Sequence, residues 1–506
     1  MSESNSQTRR FFDIVDNDIV KDRSDLHPTL VTILSSLQDP SDKMVILQIQ
    51  QLNRLILTHK AFISEPFLSL NGIDLLLHRV KDSDNSTLIQ KTLITISNLS
   101  ESSREVTRYL ESSEIFTLIS TYMTWNDPNI TKECIFCLGN LAAESTFISH
   151  LIVRDTNLFS QLCTLLVTDD SSISELLFLF FNLTAHPEGF DPFLPLLPSL
   201  LGLFDKFCTE EWMDTIKTFP STHGTNPLAD CLITMTRILR SSPTQLPSLD
   251  SETVAKNLRL VITGSYPTSM VLNAIKLHFT VLFCCSADRE SQTSQMYLTC
   301  GAHLLRPVIF HFQQSIARIT TFLSGDEEYT ERMFKEHMEL VATAFQFFDE
   351  VCADESSRLE LITQQVIPTF ESFMSTANAK CLTSFYIFLE SMGGTDPNTA
   401  VEIARQANIP SILKQFLTID LPDLSVSRIL MLFQSFSFAI LASTHIEPDA
   451  PTSISSKFHQ DITESDFVGE LERLQPRVKR NTAQIIGIVL GQLQAWDETM
   501  RTISVK

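Results

Sequence analysis

Glycine, tryptophan and basic residues are all scarce in this chain of 506 residues. It has only 13 glycines, and it contains no glycine-rich loop of the kind that cradles a phosphate. Lysine and arginine number 38 against 60 aspartates and glutamates, so the formal charge is −22. Such an acidic chain argues against direct nucleic-acid binding, because phosphates require basic groups. The charge suits a basic partner, or simply a soluble protein.

Signals for membranes, secretion and catalysis are missing as well. The amino terminus has no signal-peptide pattern, and no apolar run approaches the roughly 20 residues of a membrane span, so we expect no membrane partner. The ten cysteines form no small secreted framework, which indicates reduced thiols. Cys134 and Cys137 form a C-x-x-C inside a predicted helix, and we interpret them as core residues. We therefore predict no metal, no cofactor and no enzymatic activity.

A repeat of 42 residues is the most informative feature that is present. The stretches "LITISNLSES", "IFCLGNLAAES" and "LFLFFNLTAHPE" place Asn98, Asn140 and Asn182 at this constant interval. Two further helical stretches separate successive asparagine helices, and three helices in about forty residues are typical of armadillo repeats. In the second half of the chain, Ile367-Pro368 and Ile409-Pro410 repeat the same interval before apolar helices.

The repeat predicts an all-α fold, a right-handed armadillo-type superhelical solenoid of about 42-residue three-helix repeats. A single repeat cannot bury its apolar faces alone, so neighbouring repeats must stack. The predicted organisation comprises a polar amino-terminal tail (1–28), a solenoid of about nine to ten repeats (29–445), a linker or long loop (446–465) and a carboxy-terminal helical segment (466–506). Loop insertions are expected near 208–228, 240–252 and 323–331, and poor order in 1–25 and 447–463.

The repeated asparagine suggests a binding surface. One residue at a fixed position of each third helix would form a row along the concave face of a solenoid. An amide offers both a donor and an acceptor, which match the backbone of an extended peptide. We therefore expect the side chains of Asn98, Asn140 and Asn182 to be open to solvent on one strip. The alternative is that each amide bridges neighbouring helices, because a buried amide needs a partner.

These helices resemble the third helices of the importin-α family, the armadillo adaptors that bind nuclear localisation signals. The resemblance covers roughly residues 43–185. In that family the asparagines grip the peptide backbone, and tryptophans four residues earlier form channels for lysine and arginine. Glu144 stands where the family has an aspartate that pairs with a cargo lysine, and Thr107 where it has a threonine. The peptide-binding positions implied by the resemblance are Ile94, Asn98, Thr107, Phe136, Asn140, Glu144, Phe178 and Asn182.

This chain departs from the family pattern at the tryptophan positions and at the amino terminus. Ile94, Phe136 and Phe178 replace the tryptophans, and a phenyl face attracts a cation more weakly than an indole. In the second half only Phe345 and Asp349 have the matching spacing. The resemblance also implies importin-β as a partner, although the basic amino-terminal segment that binds it is not evident.

Two functional hypotheses follow. The first is an importin-α-like adaptor that binds basic extended peptides of cargo proteins for nuclear import, in the cytoplasm and nucleus. The second is a general armadillo-repeat scaffold that binds another protein segment and has no transport role.

Overall fold

A computed structural model describes most of the chain. The described residues are 26–60, 62–125, 127–218, 226–244, 250–285, 292–325, 330–419, 425–444 and 454–504. Within these ranges the regular elements are α-helices and a few short 3₁₀ helices, without a β-strand. The all-α class is therefore confirmed. The predicted tail at 1–25 lies outside the described residues.

The chain divides into two compact units, which we call unit 1 (residues 1–203 and 219–241) and unit 2 (residues 204–218 and 242–506). The helices of residues 26–241 are α1 (Leu26–Ser36), α2 (Asp42–Thr58), α3 (Ser64–Ser69), α4 (Gly72–Lys81), α5 (Ser86–Ser102), α6 (Arg104–Glu111), α7 (Ile115–Met123), α8 (Pro128–Glu144), α9 (Thr146–Arg154), α10 (Thr156–Thr168), α11 (Ile173–Leu183), α12 (Leu197–Phe207), α13 (Glu210–Thr218) and α14 (Pro227–Ser241).

The remaining helices all belong to unit 2. They are α15 (Ser251–Thr263), α16 (Thr268–Cys285), α17 (Gln292–Leu323), α18 (Glu331–Val351), α19 (Glu355–Thr363), α20 (Val366–Glu371), α21 (Ala379–Thr395), α22 (Pro397–Gln406), α23 (Ile409–Thr418), α24 (Val426–Thr444), α25 (Ile454–Glu464), α26 (Phe467–Leu474) and α27 (Arg480–Ser504).

Unit 1 is built from helix triplets, as the repeat predicts. The triplets α3–α5, α6–α8 and α9–α11 each consist of two short helices and a third helix that carries the asparagine. The third helices pack side by side in chain order, α5 on α8 and α8 on α11, and α2 and α14 extend the row at its two ends. This stacking of triplets is the armadillo-type solenoid arrangement.

Local sequence signals fix where the third helices begin. Asp127 caps α8 by accepting hydrogen bonds from the backbone N–H groups of Asn129 and Ile130, and Pro128 occupies the first turn. Asn85 caps α5 in the same way, by accepting a hydrogen bond from the N–H of Leu88. Because these two caps lie 42 residues apart, α5 and α8 start at equivalent positions of their repeats.

Unit 2 contains a second series of triplets, α19–α21, α22–α24 and α25–α27, which follows α18. The long helices α18, α21 and α24 pack in chain order, and α27 packs on α24. Ile367-Pro368 lies in the first turn of α20, and Ile409-Pro410 opens α23, so each dipeptide starts the second helix of its triplet. Phe345 is fully buried among phenylalanine rings in the core of unit 2 rather than on a binding face.

Several predicted loop segments contain helices. Helix α13 lies within the insertion predicted at 208–228, and α25 occupies much of the linker predicted at 446–465, including part of the stretch expected to be poorly ordered. Both sequences are polar or rich in serine, but both helices bury apolar side chains, Ile216 in α13 and Phe458 in α25. Burial of these side chains against neighbouring helices stabilises short helices of low propensity. The number of repeats and the right-handed superhelix stay predictions.

One described helix is long and apolar enough, by length and composition, to span a membrane. It covers Val426–Ser443 in α24, and the sequence reading overlooked it. One side of α24 is buried in unit 2 through Leu430, Phe433, Phe436 and Ile440. A core helix of a folded domain passes the same test, so composition alone does not assign α24 to a membrane.

Candidate functional site

The three repeated asparagines lie near the carboxy-terminal ends of α5, α8 and α11, but their amides do not face solvent as predicted. The Nδ2 group of Asn140 donates to Ser97 Oγ at 2.8 Å, and that of Asn182 donates to the Gly139 carbonyl at 3.1 Å. Both side chains are buried, each with a relative exposure of 7%. Asn98 is half-buried and donates to Asn53 Oδ1 at 2.7 Å.

The expectation of open amides is therefore wrong for Asn140 and Asn182, and the alternative of bridges between helices is correct. The physical reason is the register of the stacked helices. Asn140 and Asn182 each reach the residue just before the asparagine of the preceding repeat, Ser97 and Gly139 respectively. A buried amide with a partner avoids a desolvation cost of about 1–3 kcal/mol. The sequence contained one signal for these bonds. A serine (Ser97) or a glycine (Gly139) stands immediately before the asparagine of the preceding repeat, where it can face the next amide.

Ile94, Phe136 and Phe178 occupy the tryptophan-equivalent positions, one helical turn before the three asparagines. We call these three residues the aromatic row. Ile94 and Phe136 are half-buried, whereas Phe178 is buried, with a relative exposure of 9%. The Phe136 and Phe178 rings lie 6.3 Å apart, tilted by 37°. Phe178 also covers Gly139, where an added Cβ would come within 2.7 Å of the ring. The structure thus brings these aromatic residues together, with Phe136 more open than Phe178.

The two remaining predicted positions differ sharply in exposure. Thr107 is buried, with a relative exposure of 1%, and its hydroxyl lies 3.4 Å from the carbonyls of both Ser100 and Ser103. It stabilises the junction of α5 and α6, so the expectation that it faces a ligand is wrong. Glu144 is exposed at the end of α8, where Arg104 Nε approaches its carboxylate at 3.9 Å.

A second set of polar contacts, which the sequence reading missed, joins the first halves of the same helices. Gln90 donates to Glu133 at 3.4 Å, and Lys132 pairs with Glu175 at 3.2 Å. Burial raises the pKa of Glu133 to about 7, even though the hydrogen bond from Gln90 and the charge of Lys91 act in the opposite direction. The two residues of each pair are 43 positions apart, one more than the repeat length. Complementary polar residues at this interval were the sequence signal for these contacts.

Arg237 on α14 lies at one end of the row of third helices, and the sequence reading missed it too. Its guanidinium lies 4.6 Å from the centre of the Phe181 ring and donates to the Phe181 carbonyl and to Thr184 Oγ1. Burial lowers the pKa of Arg237 from its ordinary value. These bonds satisfy carbonyl and hydroxyl groups at the end of α11. They also hold the positive charge of Arg237 beside the candidate site.

The cysteine pair in α8 is a core feature. Cys134 and Cys137 are fully buried, and burial raises the pKa of Cys137 to about 12. A thiol with a raised pKa is a poor nucleophile and a poor metal ligand. Among the described residues, no three His, Cys, Asp or Glu side chains lie together in a group that could hold a metal ion.

Comparisons with known proteins leave the family of this chain open. No family model matches the chain, and no curated protein matches its sequence. Among solved structures, an engineered protein is 13% identical, covers 50% of this chain and 97% of its own, and gives a TM-score of 0.41. A structure from work on a conserved phosphorylation switch that controls the interaction between cadherin and beta-catenin is 9% identical, with coverage of 94% and 99% and a TM-score of 0.44. Similarity this low carries no functional argument, and the fold assignment rests on the packing described above.

Proposed function

We propose that this chain is a non-enzymatic protein-binding scaffold, and that the face formed by α5, α8 and α11 takes an extended segment of a partner protein. The observation that carries the proposal is the alignment of Ile94 and Phe136 on successive third helices. Both are half-buried apolar side chains at the same repeat position, so they offer a regular series of apolar contacts to a ligand.

The buried asparagine bonds change how such a segment would be held. Because the amides of Asn140 and Asn182 already join neighbouring repeats, their main role is to fix the spacing of the third helices. Affinity would then come from apolar contacts with the aromatic row and from groups at its edges. Exposed ion pairs contribute about 1 kcal/mol or less, so several contacts must act together.

The importin-α-like adaptor is the more specific candidate, with nuclear import as its role and the cytoplasm and nucleus as its location. One observation favours it: Glu144 is exposed one helical turn after Asn140, at the negative end of the α8 dipole, where a cargo lysine would be attracted. Arg104, whose Nε approaches the Glu144 carboxylate at 3.9 Å, and Arg237 at the end of the row oppose binding of a basic peptide. The general scaffold is therefore the version that the geometry supports best.

Peptide selection tests the scaffold proposal. A library of random peptides displayed on phage is selected on the full chain, and enriched peptides are measured by fluorescence anisotropy. We expect Phe136→Ala to weaken their binding about fivefold or more, because it removes a central apolar contact. Phe147→Ala, at an exposed phenylalanine on α9, is the matched control and should leave binding unchanged. Equal binding to wild type and to Phe136→Ala would refute this site.

A lysine-rich peptide distinguishes the import adaptor from the general scaffold. Isothermal titration compares that peptide with a version whose lysines are alanines, at low and at physiological salt. An adaptor should bind the lysine-rich peptide and lose it with Glu144→Lys, and added salt should weaken the complex because the attraction is screened. If wild type ignores the peptide at low salt, or if Glu144→Lys binds it equally well, the import role is excluded and the scaffold proposal stands.

A further inference from the structure

Unit 2 exposes a row of apolar side chains on its successive long helices. Ile387 on α21, Met431 on α24 and Ile488 on α27 have relative exposures of 40%, 53% and 52%. We call these three residues the apolar row. Phe438, two turns after Met431 on α24, is 72% exposed. Single exposed apolar residues are ordinary, but an aligned series indicates a surface that another molecule covers.

Contacts between the helices place the three residues in register. An added Cβ at Gly393 of α21 would lie 2.7 Å from the Phe436 ring of α24, and Gln434 of α24 donates to Gln492 of α27 at 3.3 Å. Ile387 precedes Gly393 by six residues, and Met431 precedes Phe436 by five. Met431 precedes Gln434 by three residues, and Ile488 precedes Gln492 by four. The apolar row therefore occupies equivalent positions on neighbouring helices.

Negative charge borders the row on the side of α18. Asp349 of α18 is half-buried next to Glu390 of α21, which Arg428 binds at 2.5 Å. Burial raises the pKa of Asp349 from its ordinary value, and the nearby Glu390 raises it further. Arg428 balances the charge of Glu390, so a cation from outside would pair with Asp349. The row thus combines apolar contacts with a preference for a positive group at one end.

The spacing of the row selects the conformation of a ligand. Packed helices lie about 8–10 Å apart, so neighbouring members of the row are separated by about that distance. In an α-helix, residues seven apart share a face and are separated by about 10.5 Å. In a strand, residues on one face are separated by about 6.6 or 13 Å. A helix therefore matches the row better than a β-strand does.

We propose that the apolar row is the docking surface for an amphipathic helix of a partner protein, whose apolar face covers Ile387, Met431 and Ile488 and whose lysine or arginine faces Asp349. The apolar side chains of such a helix recur every seven residues. This surface lies wholly in unit 2, and the inference does not depend on the function proposed for unit 1.

Binding of designed peptides to the full chain tests the proposal. The probe is a helical peptide of three heptads with leucines on one face and lysines elsewhere, measured by fluorescence anisotropy at physiological salt. Two reference peptides have the same composition in scrambled order, or glutamates in place of lysines. We expect only the amphipathic lysine peptide to bind, and Met431→Gln to weaken it about fivefold to tenfold, because a central apolar contact is lost. Asp349→Asn should weaken binding of the lysine peptide as well.

Leu359→Gln is the matched control, because Leu359 is an exposed apolar residue of unit 2 on α19 and lies outside the row. It should leave binding of the lysine peptide unchanged. Equal binding of the scrambled peptide, or equal binding by wild type and Met431→Gln, would overturn the proposal. Two further results would also overturn it. One is a dimer that sedimentation detects in wild type but not in Met431→Gln, and the other is binding of wild type to phosphatidylcholine vesicles that Met431→Gln abolishes. Those results would assign the row to a second copy of the chain or to a lipid surface.

Discussion

His278 makes unit 2 sensitive to acid. The ring lies in α16 with no exposed surface, and both of its nitrogens are buried without a hydrogen-bond partner. Its neighbours include the Phe347 ring, at 5.6 Å between centroids, and Gly301, where an added Cβ would be 3.3 Å from Nε2. Burial lowers the pKa of His278 from 6.5 to about 3, because the charged ring would have no water around it.

The direction of the pH effect follows from this difference in pKa. The unfolded chain takes up a proton near pH 6.5, whereas folded His278 stays neutral until about pH 3. The contribution of His278 to the stability of unit 2 is therefore fully present above pH 6.5 and falls as the pH is lowered through this window. Each pH unit costs about 1.4 kcal/mol, so acidification from pH 6.5 to 5 removes about 2 kcal/mol. Burial also lowers the pKa values of His311 and His337 in unit 2, which adds loss in the same direction.

The variant His278→Leu tests this reasoning. Leucine removes the titration and the two nitrogens without partners, so we expect the free energy of unfolding of unit 2 to rise by about 1–3 kcal/mol at pH 7. The decrease in the free energy of unfolding between pH 6.5 and pH 5 should be smaller by about 2 kcal/mol in the variant than in wild type. Urea unfolding followed by hydrogen exchange of the α16 amides at several pH values measures both effects. His303→Leu, at an exposed histidine of α17, is the control. An unchanged pH dependence in His278→Leu would refute the argument.

Four further changes test the architecture of unit 1. Asn140→Ala should lower the free energy of unfolding in urea by about 1–3 kcal/mol, because it breaks the bond to the preceding repeat. Gly139→Ala should cost about 1–3 kcal/mol, because the new methyl group would overlap the Phe178 ring. Gly202→Ala, at an exposed helical site with nothing within 4 Å, should instead stabilise the chain by up to about 1 kcal/mol in the same assay. Glu133→Gln should stabilise unit 1 at pH 7.5 but not at pH 4.5, as measured by urea unfolding at both pH values.

The helix triplets could be predicted from the sequence because their signals are local. Apolar spacing of three and four residues, capping residues such as Asp127, and the Ile-Pro dipeptides act within single helices or turns. The direction of the amides of Asn140 and Asn182 could not be read in this way. It depends on which residue of the preceding helix stands opposite, and that register follows from packing between repeats.

The apolar row of unit 2 escaped the sequence reading for a related reason. Ile387, Met431 and Ile488 are separated by 44 and 57 residues, so a search at a fixed interval of 42 misses them. The intervening loops have different lengths, whereas the long helices still stack in register. Exposure is also a property of the packed structure: Phe345 and Ile387 are both apolar residues of long helices, yet only Ile387 reaches the surface.

Burial gives Glu133 of unit 1 and His278 of unit 2 opposite effects on stability as the pH changes. Burial disfavours charge on any group, so it raises the pKa of the acid Glu133 to about 7 and lowers that of the base His278 to about 3. The contribution of Glu133 to the stability of unit 1 is fully present below about pH 4.5 and is lost as the pH rises towards 7. The contribution of His278 to unit 2 is present above pH 6.5 and is lost in acid. These two groups together should make acidification favour unit 1 over unit 2, and the double variant Glu133→Gln, His278→Leu should reduce that difference because each unit loses one group that titrates in this range.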